Sequence, residues 1–158
     1  MNWQEVIEHP ALQDLPFKIE LNERGQILMT PVKVRHSAFQ GKIGQLLSML
    51  LSGGMILPEC AIATRKGTKV ADVAWASAEL FQQIQFEVEA SIAPEICIEV
   101  TSASNTDDEM QEKKELYFES GAKEVWICTN SGAVSFYSPT GQLTHSLLTP
   151  QFPATVTL

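Results

Sequence analysis

The sequence predicts a mixed α/β (α+β) fold: one domain over residues 1–158, with a mixed central β-sheet, flanking helices and additional β-hairpins. Three observations lead to it. The length of 158 residues is that of a single domain. Hydrophobic residues make up 44% of the chain and charged residues 19%, proportions typical of globular proteins. Short strand-like segments bounded by Gly, Pro and Asn alternate with two longer segments of helical periodicity.

The first third of the chain is predicted to hold an N-terminal element, a hairpin and a helix. Residues 1–16 form a short helix or arm. Residues 17–20 and 26–29 form two strands, because the Asn and Gly between them favour a tight turn. Residues 34–51 place apolar side chains at helical spacing, and the glycine pair that follows ends this helix.

The middle of the chain is predicted to contain a second hairpin and a short helix. Strands at residues 60–64 and 70–76 flank a basic turn at residues 65–69. That turn is either a phosphate contact or a solvated hairpin tip. Ser77 is a suitable N-cap for a helix at residues 78–83.

The last part of the chain is predicted to contain the central strand and the second long helix. The strand covers residues 95–101 and is rich in β-branched side chains. Thr106 can cap a helix at residues 107–120, whose acidic first turn suits the positive end of the helix dipole. Further strands at residues 123–128 and 134–137, and a last hairpin, complete the sheet.

Charge and cysteine content narrow the function classes. The formal net charge of −8 argues against broad nonspecific attraction to nucleic acid, but it is compatible with a local basic cleft. The cysteines Cys60, Cys97 and Cys128 are odd in number and far apart, which indicates neither a disulfide framework nor a structural zinc site. No apolar segment approaches the ~20 residues that span a bilayer, and the first residues have no signal pattern, so we expect a cytoplasmic protein without a membrane partner.

Two acidic residues in apolar strands are the candidates for a functional site. Alternation along the central strand puts Glu95, Glu99 and Thr101 on one of its faces. Asp72 lies in a strand that is otherwise apolar. A buried carboxylate costs several kcal/mol unless it is paired or binds a metal, so each of these acids needs a partner.

If the two strands pair, Asp72 and Glu99 approach each other, and two interpretations are open. Mg²⁺ prefers carboxylate oxygens and waters, and the backbone carbonyl of Val100 would add a third ligand. Such a metal would lower the pKa of a bound water and stabilise charge on a phosphoryl group. The other interpretation is a pair of carboxylates in salt bridges with Arg or Lys, which the residue pattern alone favours.

Four ordered segments resemble a known family. They are residues 71–75 (ADVAW), 94–102 (PEICIEVTS), 112–117 (EKKELY) and 121–126 (GAKEVW). Together they are similar to a bacterial family of predicted restriction endonucleases, the Uma-two type, within the PD-(D/E)xK nuclease superfamily. The resemblance extends from Phe17 to the C-terminus. It implies a restriction-endonuclease-like fold and a metal-dependent endonuclease that hydrolyses DNA phosphodiester bonds with Mg²⁺ or Mn²⁺.

The resemblance also implies roles for single residues. Asp72 corresponds to the first metal-binding aspartate of the superfamily, and Glu99 corresponds to the acid of the (D/E)xK element. Thr101 occupies the place of the usual lysine, and Lys113 on the following helix is the matching residue. Helical spacing alone does not separate Lys113 from Lys114, because both flank the apolar stripe of that helix.

His36, Glu95 and Thr101 are secondary candidates. His36 is a general base, a DNA contact or a structural residue near the start of a helix. Glu95 is a supporting acid or simply the residue that starts the strand. Thr101 is a candidate because of its place in the family motif.

Two other function classes stay open. A catalytically inactive relative would retain the fold as a DNA-binding or oligomeric interaction module, consistent with the acidic composition and the missing motif lysine. A structural oligomer would use an apolar strand such as residues 134–137 as a subunit interface. For the nuclease we expect DNA as substrate and a homodimer or larger assembly, because a two-fold protein matches a two-fold duplex.

Overall fold

A computed structural model describes all residues of the chain, 1–158. It consists of a six-stranded mixed sheet with helices on both faces, and a separate two-stranded hairpin, so the predicted mixed α/β architecture is confirmed. No helix is both long enough and apolar enough to cross a membrane. The elements are α1 (Trp3–Glu8), a 3₁₀ turn (Pro10–Leu12), β1 (Phe17–Leu21), β2 (Ile27–Pro31), α2 (Val34–Leu50), β3 (Met55–Thr64), β4 (Gly67–Ala76), α3 (Ala78–Ile84), β5 (Ile96–Val100), α4 (Asp107–Glu119), β6 (Glu124–Cys128), β7 (Val134–Ser138) and β8 (Gly141–Leu143).

The large sheet has the strand order β3-β4-β5-β6-β7-β8. Every neighbouring pair is antiparallel except β5 and β6, which are parallel. Antiparallel neighbours can be joined by tight turns, but parallel neighbours need a crossover. The helix α4 is this crossover, and it therefore lies on the sheet beside the central strand β5.

The alternation predicted for the central strand is present in β5. Ile96, Ile98 and Val100 pack in one core cluster with three side chains of α2, whereas Cys97 packs in a second cluster with residues of α3 and α4. All five residues of β5 are buried. Glu99, which has the parity of Cys97, therefore lies on the α4 side of the sheet, away from solvent.

Two strands begin well before their predicted first residues. The strand β3 begins at Met55 and β4 begins at Gly67, both earlier than expected. The predicted extent of the basic turn, residues 65–69, is therefore wrong. Only Arg65 and Lys66 lie between the two strands. The first half of β3 is not predicted from the sequence, because Pro58 interrupts the strand-like pattern. It is tolerated there since β3 is an edge strand and does not need every N–H of its outer side.

The hairpin of β1 and β2 packs against β4 without joining the large sheet. The Glu20 carboxylate accepts a hydrogen bond from the N–H of Val70 at 2.6 Å. The Lys69 ammonium donates to the carbonyl of Leu21 at 3.0 Å. Gly67 has a φ of +88°, and a Cβ there would lie 2.4 Å from that same carbonyl oxygen. Glycine is thus required for the backbones to approach this closely, and the contact places Lys18 and Glu20 of β1 against β4.

We predict that Gly67→Ala destabilises the protein more than Gly53→Ala does. Both glycines have a positive φ, but a Cβ at Gly53 would meet nothing within 4 Å. Gly53→Ala should therefore lower the free energy of unfolding only by the backbone cost of about 1 kcal/mol. Gly67→Ala should lower it by about 2–4 kcal/mol, because it also forces the hairpin away from β4. Urea denaturation measures both, and equal losses would contradict the role given to the close contact.

Candidate active site

Asp72 lies in β4 at a break in the strand ladder. The pairs on either side of it are regular, but Glu59, the residue opposite it in β3, has a left-handed backbone with a φ of 52° and lies outside the ladder. The Asp72 carbonyl accepts a hydrogen bond from Gln40 Nε2 of α2 at 2.9 Å. Its carboxylate Oδ2 accepts one from the N–H of Val100 at 2.7 Å. The backbone carbonyl and the carboxylate of Asp72 are therefore each held by a neighbouring element, α2 and β5.

Glu99 lies in β5 across from Asp72, one step beyond the last paired residues of β4 and β5. Its Oε1 accepts hydrogen bonds from the hydroxyl of Tyr117 at 2.6 Å and from the ammonium of Lys113 at 3.1 Å. Tyr117 and Lys113 are four residues apart in α4, so they project from the same face of that helix. The crossover helix thus supplies two donors to one carboxylate oxygen.

The structure separates the two lysines that helical spacing left equivalent. Lys113 enters the acidic cluster with its side chain 15% exposed. Lys114 lies on another face of α4, with its ammonium 3.6 Å from the centre of the Tyr137 ring. Of these two lysines, Lys113 contacts Glu99 and Lys114 does not.

Lys18 of β1 lies between the two strand carboxylates. Its Nζ is 3.1 Å from Asp72 Oδ1 and 3.3 Å from Glu99 Oε2, and the side chain is only 10% exposed. Glu20, two residues along the same strand, binds Lys113 at 2.9 Å. Three buried carboxylates therefore share two lysines, one from the hairpin and one from α4.

His36, in the first turn of α2, contacts the Asp72 carboxylate oxygen that Lys18 does not contact. Its Nε2 is 3.3 Å from Asp72 Oδ2. Its Nδ1 is buried and has no hydrogen-bond partner. An unsatisfied buried polar atom is costly, so this ring nitrogen lowers the stability that the contact with Asp72 provides.

Burial and mutual contacts set the pKa values of these groups. Burial opposes ionisation of Asp72, but the hydrogen bond from His36 and the charge of Lys18 hold the pKa of Asp72 well below its usual range. Burial also opposes the charge on Lys18, yet Glu99 and Asp72 raise the Lys18 pKa. Complete burial raises the pKa of Glu99 to about 7 against the opposing effect of Lys113 and Lys18. The hydrogen bond to Asp72 raises the pKa of His36.

The cluster lies at the floor of a cleft of about 700 Å³. The walls are the β1–β2 hairpin, β4, β5, the loop that follows β5 and the first turns of α4. The acids and lysines that line the cleft are five lysines and seven acids: Lys18, Lys33, Lys66, Lys69, Lys113, Glu20, Glu23, Glu59, Asp72, Glu99, Glu109 and Glu112. With His36 neutral, the formal charge of the lining is five minus seven, or −2.

The remaining candidates divide between this cleft and other places. Val100 lines the cleft next to Glu99. Glu95 lies at the other end of β5, where its carboxylate accepts hydrogen bonds from the N–H of Ser77 at 3.1 and 3.2 Å. Thr101 donates its N–H to the carbonyl of Cys128 at 2.8 Å and does not line the cleft. The structure thus brings together five of the residues singled out in the sequence: His36, Asp72, Glu99, Val100 and Lys113.

Sequence reasoning missed Lys18 and Glu20. They alternate with Phe17, Ile19 and Leu21, so the sequence does place them on one face of a strand. A charged strand face usually lies against solvent, and no local signal distinguishes the two cases. Only the packing of the hairpin on β4 makes this face part of the cluster.

The basic turn between β3 and β4 is neutralised by α4. Arg65 Nε is 3.0 Å from a carboxylate oxygen of Glu119, and Lys66 contacts Glu112. Both pairs lie toward solvent, where ion pairs contribute little to stability. Both basic side chains of the turn are therefore already paired with carboxylates, so neither offers an unpaired positive charge to a phosphate group.

Asp72 and Glu99 are the two carboxylates of the cluster that can bind a metal ion. No three His, Cys, Asp or Glu side chains surround a common point. Two carboxylate oxygens do converge on one cation, since Asp72 Oδ1 and Glu99 Oε2 both bind the Lys18 ammonium. Mg²⁺ is commonly held by one or two protein carboxylates and several waters, so these two oxygens fit a hard divalent cation.

We predict that the stabilising effect of His36 depends on pH. A group whose pKa is raised by folding stabilises the protein below its unfolded pKa, and the effect is lost as pH rises through the folded pKa. His36→Gln should thus lower the free energy of unfolding by about 1–2 kcal/mol near pH 5.5 and by clearly less near pH 8.5. Urea denaturation at both values measures this. In an Asp72→Asn background the pH dependence should vanish; its persistence would rule out Asp72 as the cause.

Comparisons with known proteins were informative for the fold and, separately, for the family. A comparison with curated protein sequences gives no significant match. Among solved structures, a protein from Anabaena variabilis described as a "putative nuclease belonging to DUF820" matches with a TM-score of 0.69. The match has 18% sequence identity and covers 88% of this chain and 80% of that one, which shows a shared fold.

The family comparison covers nearly the whole chain. Residues 3–158 match the model of the Uma2 family, which is described as "Putative restriction endonuclease". The match includes every residue of the acidic cluster and both hairpins that form its cleft. The chain therefore belongs to the Uma2 family of restriction-endonuclease-like proteins.

Proposed function

We propose that this protein is a metal-dependent endonuclease that hydrolyses DNA phosphodiester bonds in the cleft between the hairpin and the sheet. The observation that carries the proposal is that Asp72 and Glu99, from neighbouring strands, each direct one carboxylate oxygen to the same point, which the Lys18 ammonium occupies. Lys113 donates a hydrogen bond to Glu99 beside it. Family membership supports the same reaction class. The description of the Anabaena neighbour as a nuclease supports it as well.

The charge of the cleft supports a requirement for a divalent cation. The lining has a formal charge of −2, which repels the phosphates of DNA. A divalent cation held by Asp72 and Glu99 would add two positive charges to this lining. Mg²⁺ or Mn²⁺ bound there would thus offset the excess of acid and make the cleft accessible to the substrate.

Asp72 and Glu99 would hold the cation, and the backbone carbonyl of Val100 would be a third ligand. When bound, Mg²⁺ or Mn²⁺ supplies a more acidic water and stabilises negative charge on the phosphoryl oxygens. The contacts of Asp72 to Val100 and of Glu99 to Tyr117 hold both carboxylates in fixed positions.

Lys113 and His36 would act on the substrate side of these carboxylates. Lys113 approaches Glu99 from α4 and can orient the attacking water and support the developing negative charge. His36 contacts Asp72 through Nε2 and can hold that carboxylate in position. Because DNA has two-fold symmetry, a symmetric homodimer is the assembly we propose for cutting both strands.

A second candidate function is a catalytically inactive module that binds DNA or assembles with other copies. One observation favours it: Lys18 and Lys113 already pair with Asp72 and Glu99. Thr101 in place of the motif lysine agrees with this candidate. It differs from the nuclease in one measurable respect, because it predicts no DNA cleavage with any divalent metal.

We predict that Glu99→Gln and Lys113→Ala impair cleavage for different reasons. Glu99→Gln removes a metal ligand, so it should weaken Mn²⁺ binding at least about tenfold and reduce plasmid nicking by about 100-fold or more. Lys113→Ala should reduce nicking by a similar factor of about 100, while Mn²⁺ affinity stays within about threefold of the wild type. Calorimetry with Mn²⁺ and a plasmid nicking assay measure the two effects on the same samples.

Lys114→Ala is the matched control. It removes the neighbouring lysine, which contacts Tyr137 and not the cleft, so nicking should continue at the wild-type rate. Equal losses for Lys113→Ala and Lys114→Ala would contradict the assignment of Lys113. A wild type that binds Mn²⁺ without nicking DNA would support the inactive module.

A further inference from the structure

One cation is shared by the two central carboxylates of the cluster. Each carboxylate has one oxygen occupied elsewhere: Asp72 Oδ2 contacts His36 and the N–H of Val100, and Glu99 Oε1 contacts Lys113 and Tyr117. The other two oxygens, Asp72 Oδ1 and Glu99 Oε2, both face the ammonium of Lys18. No other side chain bridges Asp72 and Glu99.

We propose that Lys18 is the internal counter-cation of this site: its ammonium occupies the point between Asp72 and Glu99 in the metal-free protein and leaves when a divalent cation binds. The inference rests on the proposed function, because it concerns the same two carboxylates as metal ligands. It assigns to Lys18 a role that Lys113 does not have. Lys18 competes with the metal and thereby sets how tightly the site holds it.

Geometry and charge exclude simultaneous occupation. The ammonium and the metal need the same two oxygens, and like charges at so short a distance repel strongly in a buried site. Lysine has a flexible four-carbon stem and a point charge, so the side chain can swing away without a change of backbone. Lys18 extends from the β1–β2 hairpin, so its departure breaks no hydrogen bond of the large sheet.

The counter-cation would also compensate the buried carboxylates when no metal is bound. Asp72 and Glu99 have side chains 1% and 3% exposed, and without Lys18 their facing oxygens would have no positive partner. An uncompensated buried charge is strongly destabilising. Lys18 should therefore stabilise the protein when no metal is bound and weaken metal binding. Its removal should lower the stability and raise the metal affinity.

The test compares Mn²⁺ binding and thermal stability of the wild type and Lys18→Met. Methionine retains most of the stem and removes the charge. Lys18→Met should bind Mn²⁺ at least about tenfold more tightly in calorimetry. Without metal its Tm should fall by roughly 5–10 °C, and saturating Mn²⁺ should raise its Tm more than that of the wild type.

Lys69→Met is the matched control. Lys69 lines the same cleft, but its ammonium donates to the Leu21 carbonyl and bridges no carboxylates. Its replacement removes the same charge from the same cleft, so it measures the general electrostatic effect. Mn²⁺ affinity should change by less than about threefold. An equal gain for Lys69→Met and Lys18→Met would overturn the proposal.

A second measurement uses the wild type and does not depend on the folding of any variant. Lys18 is buried between carboxylates, so an amine-acetylating reagent should modify it slowly without metal and several-fold faster with saturating Mn²⁺. Mass spectrometry of the peptides reports each lysine separately, and Lys69 serves as the internal reference. Continued protection of Lys18 in Mn²⁺-saturated protein would overturn the proposal.

The outcomes separate this inference from the nuclease proposal. Tighter Mn²⁺ binding by Lys18→Met together with no DNA cleavage would support the counter-cation and reject the nuclease. DNA cleavage by the wild type, with no gain of Mn²⁺ affinity in Lys18→Met, would support the nuclease and reject the counter-cation. If neither protein binds Mn²⁺, both proposals fail.

Discussion

The balance between buried acids and buried lysines is the constraint on which the rest of the structure depends. Glu20, Asp72 and Glu99 are all removed from water, and an uncompensated charge of this kind costs several kcal/mol. The compensating ammonium groups come from two different elements, Lys18 from the hairpin and Lys113 from α4. The network is complete only when the hairpin, two sheet strands and the crossover helix are all in place.

Much of the fold could be predicted because local signals agree with the tertiary structure. The alternation in β5 separates the two core clusters as expected, and the helix α4 begins after Thr106, whose side chain accepts a hydrogen bond from the N–H of Glu109. The start of β3 could not be predicted, because Pro58 interrupts the pattern that identifies a strand. Edge position makes this proline acceptable, and edge position is a property of the whole sheet.

The candidate site could be predicted in part, for a related reason. Asp72 and Glu99 are conspicuous because acids are rare in apolar strands, and pairing of β4 with β5 brings them opposite each other. Lys18 and Glu20 give no such signal, since a charged face on a strand is ordinary. Their burial follows from the close approach of the hairpin to Gly67, which involves backbone atoms distant in sequence. Roles for Lys113 and Lys114 likewise separate only once α4 is placed on the sheet.

The contacts of the cluster join parts of the chain that are far apart in sequence. Lys18 and Glu99 are separated by 81 residues, and Glu20 and Lys113 by 93. Each of these contacts closes a long loop, and the entropy of closing that loop must be lost before the contact is gained. During synthesis the carboxylates of β1, β4 and β5 emerge from the ribosome before Lys113 does. The site therefore comes into existence only after α4 has docked, and a growing chain does not have it.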